Sequence, residues 1–142
     1  PYRTSIAVTQ GETVRLRLDF KIAEGGNSGV FLRAPRDARQ SKIGFEFQIH
    51  GDASAPVSDD MVGAIYKVVP PRVNASKPPM EWNSLEIICQ GSILKATLNG
   101  QVVQDIDLNT HPELKHRIRS GFIGLQDHHD PVRIRNVRIK PL

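Results

Sequence analysis

Phe45-Glu46-Phe47-Gln48-Ile49-His50 is the stretch on which the reading of this chain turns. Apolar and polar side chains alternate at every step, the period of a β-strand with one face in a core. The same period recurs outward in both directions. Val14, Leu16, Leu18 and Phe20 alternate with Arg15, Arg17 and Asp19. Val30 and Leu32 begin a short strand after a turn at Gly25-Gly26-Asn27, and Leu85, Ile87 and Cys89 alternate with Glu86, Ile88 and Gln90. Ile93 to Leu98 and Val102 to Leu108 flank Asn99-Gly100, which predicts a hairpin with a type I′ turn. Gly121 to Gln126 and Val132 to Ile139 are the last two strand candidates. Helical periodicity is confined to Pro112 to His116, with Thr110 as its expected cap. Many short strands separated by turns predict an all-β sandwich or barrel.

Composition narrows the function classes. The chain has 142 residues, a size that buries a core without disulfides. The single cysteine, Cys89, excludes an internal disulfide and falls in an apolar row, as a buried thiol would. No run approaches the roughly 20 apolar residues of a membrane-spanning helix. The net charge of +4 lacks the interleaved aromatics of a nucleic-acid surface, so no nucleic-acid partner is expected. The chain starts at Pro1 without a Met, and we expect it to be processed or cut from a longer one. Residues 53–79 hold five prolines and little periodicity, which predicts long loops over one face. They include a glycosylation-type sequon, Asn74-Ala75-Ser76, a pattern too short to be decisive.

Alternation also sorts the polar residues. Glu46, Gln48 and His50 share one strand face, either as a solvated surface or as the concave face of a ligand-binding sandwich. Gln126 and His128 share a face if their strand runs that far. His128, His129, Asp127 and Asp130 are metal-ligand types, but neighbours on a strand point oppositely. We therefore expect no metal and no cofactor. An acid or base role suits His128, whose imidazole titrates near neutrality. Arg33, at the end of the Gly-rich turn and strand, could reach into a pocket.

Several motifs occur in order: Gly26-Asn27-Ser28-Gly29-Val30-Phe31-Leu32-Arg33, Phe45-Glu46-Phe47-Gln48-Ile49, Gly63-Ala64-Ile65-Tyr66, Pro70-Pro71 and Lys77-Pro78-Pro79. Glu81-Trp82-Asn83, Leu98-Asn99-Gly100, Gly121-Phe122-Ile123-Gly124-Leu125-Gln126-Asp127-His128 and Arg135-Asn136-Val137-Arg138-Ile139 follow. Taken together they resemble the 3-keto-disaccharide hydrolase domain family, from about Thr13 to the C-terminus. The resemblance implies a concanavalin A-like jelly-roll sandwich of two antiparallel sheets, a single domain over 1–142, trimmed at its N-terminus. It implies a carbohydrate substrate, an oxidised di- or oligosaccharide, and a periplasmic or extracellular location. Members often carry Gly after Gln-Asp-His, where this chain has His129.

A 3-keto sugar has an acidic proton on C2, so a base can remove it and the C1 substituent can leave. Such chemistry needs a base, an acid and a donor for the enolate oxygen. On this resemblance Glu46 and His128 serve as base and acid in either order, and Arg33 holds the carbonyl oxygen or hydroxyls. Gln48, Asn83 and Gln126 bind hydroxyls, and Tyr66 or Trp82 stacks on the sugar. Asn27 is either a turn residue or a further hydroxyl ligand. For Trp82 the competing expectation is a core position. A plain glycosidase would need a second carboxylate, for which only Asp127 and Glu81 offer themselves. The alternative to an enzyme is a non-catalytic carbohydrate-binding module.

Overall fold

The computed structural model describes residues 3–5, 10–11, 14–36 and 38–142. Two antiparallel sheets face each other. The first runs β1 (Arg3–Ser5), β9 (Gly121–Asp127), β4 (Asn27–Ala34), β5 (Phe45–His50), with β2 (Gln10–Gly11) also paired to β9. The second runs β10 (Val132–Pro141), β3 (Val14–Ile22), β6 (Asn83–Gln90), β7 (Ile93–Leu98), β8 (Gln101–Asp107). No helix among the described residues is long and apolar enough to cross a membrane.

The alternation read from the sequence becomes the core. Leu16, Leu18 and Phe20 of β3 and Leu85 and Ile87 of β6 meet Phe45, Phe47 and Ile49 of β5, all within 2% of full burial. Each buried side chain of this size contributes about 1.5–3 kcal/mol. Asn99 and Gly100 take φ of +50° and +81° between β7 and β8, as a type I′ turn requires. Cys89 is buried, and burial pushes its thiol up to about 11.

Residues 108–117 differ from expectation. The helical turn opens earlier, as a 3₁₀ turn at Leu108–Thr110 whose cap is Asp107, its carboxylate accepting from the Asn109 N–H. Thr110 instead donates its hydroxyl to the Asp107 carbonyl. The Pro112 region holds a single turn closed by Lys115 N–H on the His111 carbonyl. A short helix, α1 (Gln40–Ile43), carries no apolar stripe and was not expected.

The 53–79 segment is more ordered than a set of loops. Gln48 N–H donates to Ala64, Gly63 N–H to Gln48 and Tyr66 N–H to Glu46, so this stretch closes the free edge of β5. Met61, Val62, Ala64 and Ile65 of this segment are buried in the core. Gln104 of β8, fully buried, donates its amide to the carbonyls of Gly63, Val69 and Pro70 and ties the segment to the second sheet. Asn74 donates to the carbonyls of Asp52, Ala53 and Ala55, so the sequon asparagine is used as an internal clamp.

Candidate functional site

The register of the first sheet assembles one outward row from three strands. Asn27 pairs with His50, Gly29 with Gln48, and Phe31 with Glu46; Phe31 also pairs with Gly124. Strand pleat then puts Asn27, Gly29 and Phe31, Glu46 and Gln48, and Gly124, Gln126 and His128 on the same side, away from the core. A cavity of about 190 Å³ lies on this face, lined by Asn27, Phe31, Glu46, Gln48, Gln126 and His128, with Tyr66 along one wall and Arg39, Gln40 and Ser41 along another. Tyr66 reaches it because its backbone pairs with Glu46 at the closed sheet edge.

Glu46 forms the floor and is only 3% exposed. A Cβ on Gly29 would stand 2.8 Å from Glu46 Oε1 and 3.2 Å from its Cγ, so the side chain lies in space that only glycine leaves open. Burial raises the Glu46 pKa to about 7, against a smaller opposing pull from the Arg39 guanidinium. A carboxyl poised at neutrality can both take and give a proton.

The amides around Glu46 point acceptors into the cavity. Gln48 donates its amide N–H to the Asp60 carbonyl, which fixes which end of the group faces inward. Its Oε1, together with Asn27 Oδ1 and Gln126 Oε1, is buried without a hydrogen-bond partner. Three buried acceptors lacking donors on one wall are costly unless a ligand supplies hydroxyls. At the mouth, Asp130 Oδ2 lies 3.5 Å from His128 Nδ1 and accepts from Asn27 N–H at 3.1 Å. This contact holds the imidazole at the edge of the cavity. His129, where glycine is usual by resemblance, sits at φ +68°, and its N–H donates to Asp127 Oδ1.

Not every expected residue is here. Arg33 takes φ +49° at a register shift between Phe31 and Ala34. That bulge breaks the alternation and turns the side chain inward, where Nη2 donates to the Gly91 carbonyl in the turn between β6 and β7. Trp82 lies on the outer face of the second sheet, with Arg135 3.8 Å and Lys21 5.0 Å from its ring centroid; it is neither a sugar platform here nor core. Asn83 is buried as a joint, accepting from Lys77 N–H and Asn99 Nδ2. His50 pairs with Asp52 beyond the cavity. Asp127 serves its own turn and Glu81 is exposed, so Glu46 is the one carboxylate among the described lining residues. Phe31, Arg39, Gln40 and Ser41 escaped the sequence reading, and Asp130, weighed there as a metal-ligand type, instead contacts His128 and accepts from Asn27 N–H. Phe31 had a signal, since strand parity in Asn27–Phe31 already places it with Gly29. The three residues at α1 had none, because they depend on where an unpatterned segment folds back.

Two antiparallel sheets stacked in this way define a jelly-roll sandwich, with a polar, acceptor-rich row on the outer face of one. The chain belongs to the family described as the 3-keto-alpha-glucoside-1,2-lyase-like domain, matched over residues 6–140. It is 27% identical to a 3-keto-disaccharide hydrolase of Bacteroides thetaiotaomicron, an alignment covering 89% of this chain and 58% of that protein. The chain thus spans less than two thirds of that relative's length. Among solved structures it resembles a candidate glycosyl hydrolase from Parabacteroides distasonis, with TM-score 0.84, 27% identity, and coverage of 94% and 80% of the two chains. A carbohydrate-binding module from Bacillus subtilis shares the fold at TM-score 0.63 and 16% identity, covering 93% of this chain and 77% of that one.

Proposed function

We propose that this domain cleaves the C1–oxygen bond of 3-keto-glycosides by removing the C2 proton. The observation that carries the reading is a buried carboxyl of pKa about 7 set among three buried amide oxygens that lack donors. Hydroxyls of one sugar ring satisfy the amides of Asn27, Gln48 and Gln126, and Phe31 or Tyr66 meets its apolar face. Ionised Glu46 takes the C2 proton. The C2–H electron pair becomes the enolate of the C3 ketone, and Arg39, replacing Arg33 in this role, stabilises its oxygen. The enolate then collapses to an enone as the C1–oxygen bond breaks, and Glu46, level with Gly124 and now carrying the proton, passes it to the departing oxygen, while His128, held by Asp130, binds a hydroxyl at the far end of the cavity. Addition of water across C1=C2 restores a 3-keto sugar, so elimination plus hydration equals hydrolysis. The scarcity of carboxylates in the cavity argues against a two-carboxylate glycosidase route.

The second reading is a carbohydrate-binding module, favoured by the same donor-seeking amides, which would bind a sugar without any chemistry. Incubation with a 3-keto-disaccharide and with its unoxidised parent separates the two. The enzyme reading expects sugar release from the oxidised compound alone. Binding of either sugar without release from either assigns the domain to the module.

A further inference from the structure

The outward row of β9 does not end at the polar cavity. At two-residue spacing it continues from His128 and Gln126 through Gly124 to Phe122. With about 3.3 Å per residue, Phe122 stands roughly 13 Å along the strand from Gln126. There a second cavity of about 180 Å³ opens, lined by Ala34, Pro35, Arg36, Gln40, Phe122 and Ile123. Gln40 and the β9 row belong to both cavities, so the two are neighbours on one sheet face. Each is smaller than the roughly 300–1,000 Å³ of a small-molecule site, and joined they enter that range.

The chemistry changes along the row. Among the described residues, none of the buried polar atoms without a partner lines the second cavity, whereas three line the first. Ala34, Pro35 and Phe122 give it an apolar wall opposite Gln40, and the Arg36 guanidinium lies 4.4 Å from the Phe122 ring centroid, leaving a flat cation–aromatic edge. A second sugar, rimmed with hydroxyls, would find among the described side chains only those of Arg36 and Gln40 to satisfy it. A planar apolar group would instead meet Phe122, Pro35 and Ala34 and leave no polar atom stranded. The bulge that withdraws Arg33 is what makes this wall apolar, since it brings Ala34 to the outward face opposite Phe122.

We infer that the second cavity is the leaving-group subsite and that it selects glycosides with an aromatic aglycone. This rests on the reading of the first cavity as the sugar subsite. The test compares 3-keto-glucosides with benzyl and methyl leaving groups, which depart as alcohols of nearly equal acidity, so that a rate difference reports contacts and not leaving-group chemistry. The benzyl compound is expected to have a kcat/KM about 3- to 10-fold higher, the scale of one aromatic contact, and Phe122→Ala should collapse the ratio towards one. Equal values in the wild type overturn the inference. If neither compound is cleaved, the proposed function fails while the subsite is still decided by NMR titration of the wild-type chain with unoxidised benzyl and methyl glucosides. Shifts at the Phe122 and Ile123 amides with the benzyl compound alone support the subsite, and their absence overturns it.

Discussion

The outer faces of the two sheets look alike in sequence and behave differently in three dimensions. Both present polar residues at alternate positions. On the second sheet these side chains pair with one another near solvent: Arg17 with Glu86, with Arg15 3.8 Å from the same carboxylate, Arg135 and Asn136 with Asp19, and Arg135 and Lys21 with Trp82. Such exposed pairs contribute about 0–1 kcal/mol each. On the first sheet Glu46, Gln48 and Gln126 are buried, and the amide oxygens of Gln48 and Gln126 have no protein donor. The difference teaches that polarity in a strand pattern marks a face as outward, and that burial without internal partners marks it as a site.

Removing the floor carboxyl should have the largest effect. Glu46→Gln is expected to lower kcat/KM on a 3-keto-glycoside by about 10²–10⁴-fold, measured by steady-state sugar release on a variant with unchanged circular dichroism. In the wild type, kcat/KM should rise as pH passes through about 7, because only ionised Glu46 accepts a proton. Retained activity in the variant, or a rate that falls over that interval, would detach the chemistry from this carboxyl.

The same residue predicts a stability signature. The Glu46 pKa in the folded chain, about 7, exceeds its ordinary 4.5, so the folded state holds a proton that the unfolded chain releases. Its contribution is fully present below about pH 4.5 and is lost as pH rises through about 7. The shift corresponds to about 3 kcal/mol. Denaturant unfolding at pH 5 and pH 8 should therefore show Glu46→Gln gaining on the wild type by up to that amount at the higher pH. A pH-independent difference would mean that Glu46 is not buried as described.

Gly29→Ala sharpens the contrast by geometry alone. The added methyl would occupy space held by Glu46 Oε1, and a displacement of an ångström is enough to lose about 10²-fold in rate. A crystal structure of the variant should show the carboxyl moved, and unchanged kinetics would show that its position is not critical. The smallest effect belongs to the other sheet. Arg135→Ala should cost about 1 kcal/mol or less in urea unfolding and leave sugar release within about twofold. A large activity loss there would erase the distinction between the two faces.

Much of this architecture was legible because strands with one buried face advertise themselves by period. Val14–Phe20, Phe45–Ile49 and the Asn99-Gly100 hairpin needed no tertiary information. The same period put Glu46 with Gln48 and, once β9 reached Asp127, Gln126 with His128. It failed at Arg33, because a bulge with a left-handed residue exchanges inward for outward without a glycine to announce it. It failed at Trp82, which sits just ahead of β6, where pleat no longer dictates direction. Arg39 and Gln40 were invisible for a different reason: their place depends on the chain folding back between β4 and β5.

The central claim is that the outer row of the first sheet breaks a C2–H bond. Sugar release from a 3-keto-disaccharide carrying deuterium at C2 tests it most directly. A primary isotope effect on kcat/KM, abolished together with turnover in Glu46→Gln, is the predicted result. Release at the same rate from labelled and unlabelled substrate, with deuterium retained at C2 of the product, would contradict it.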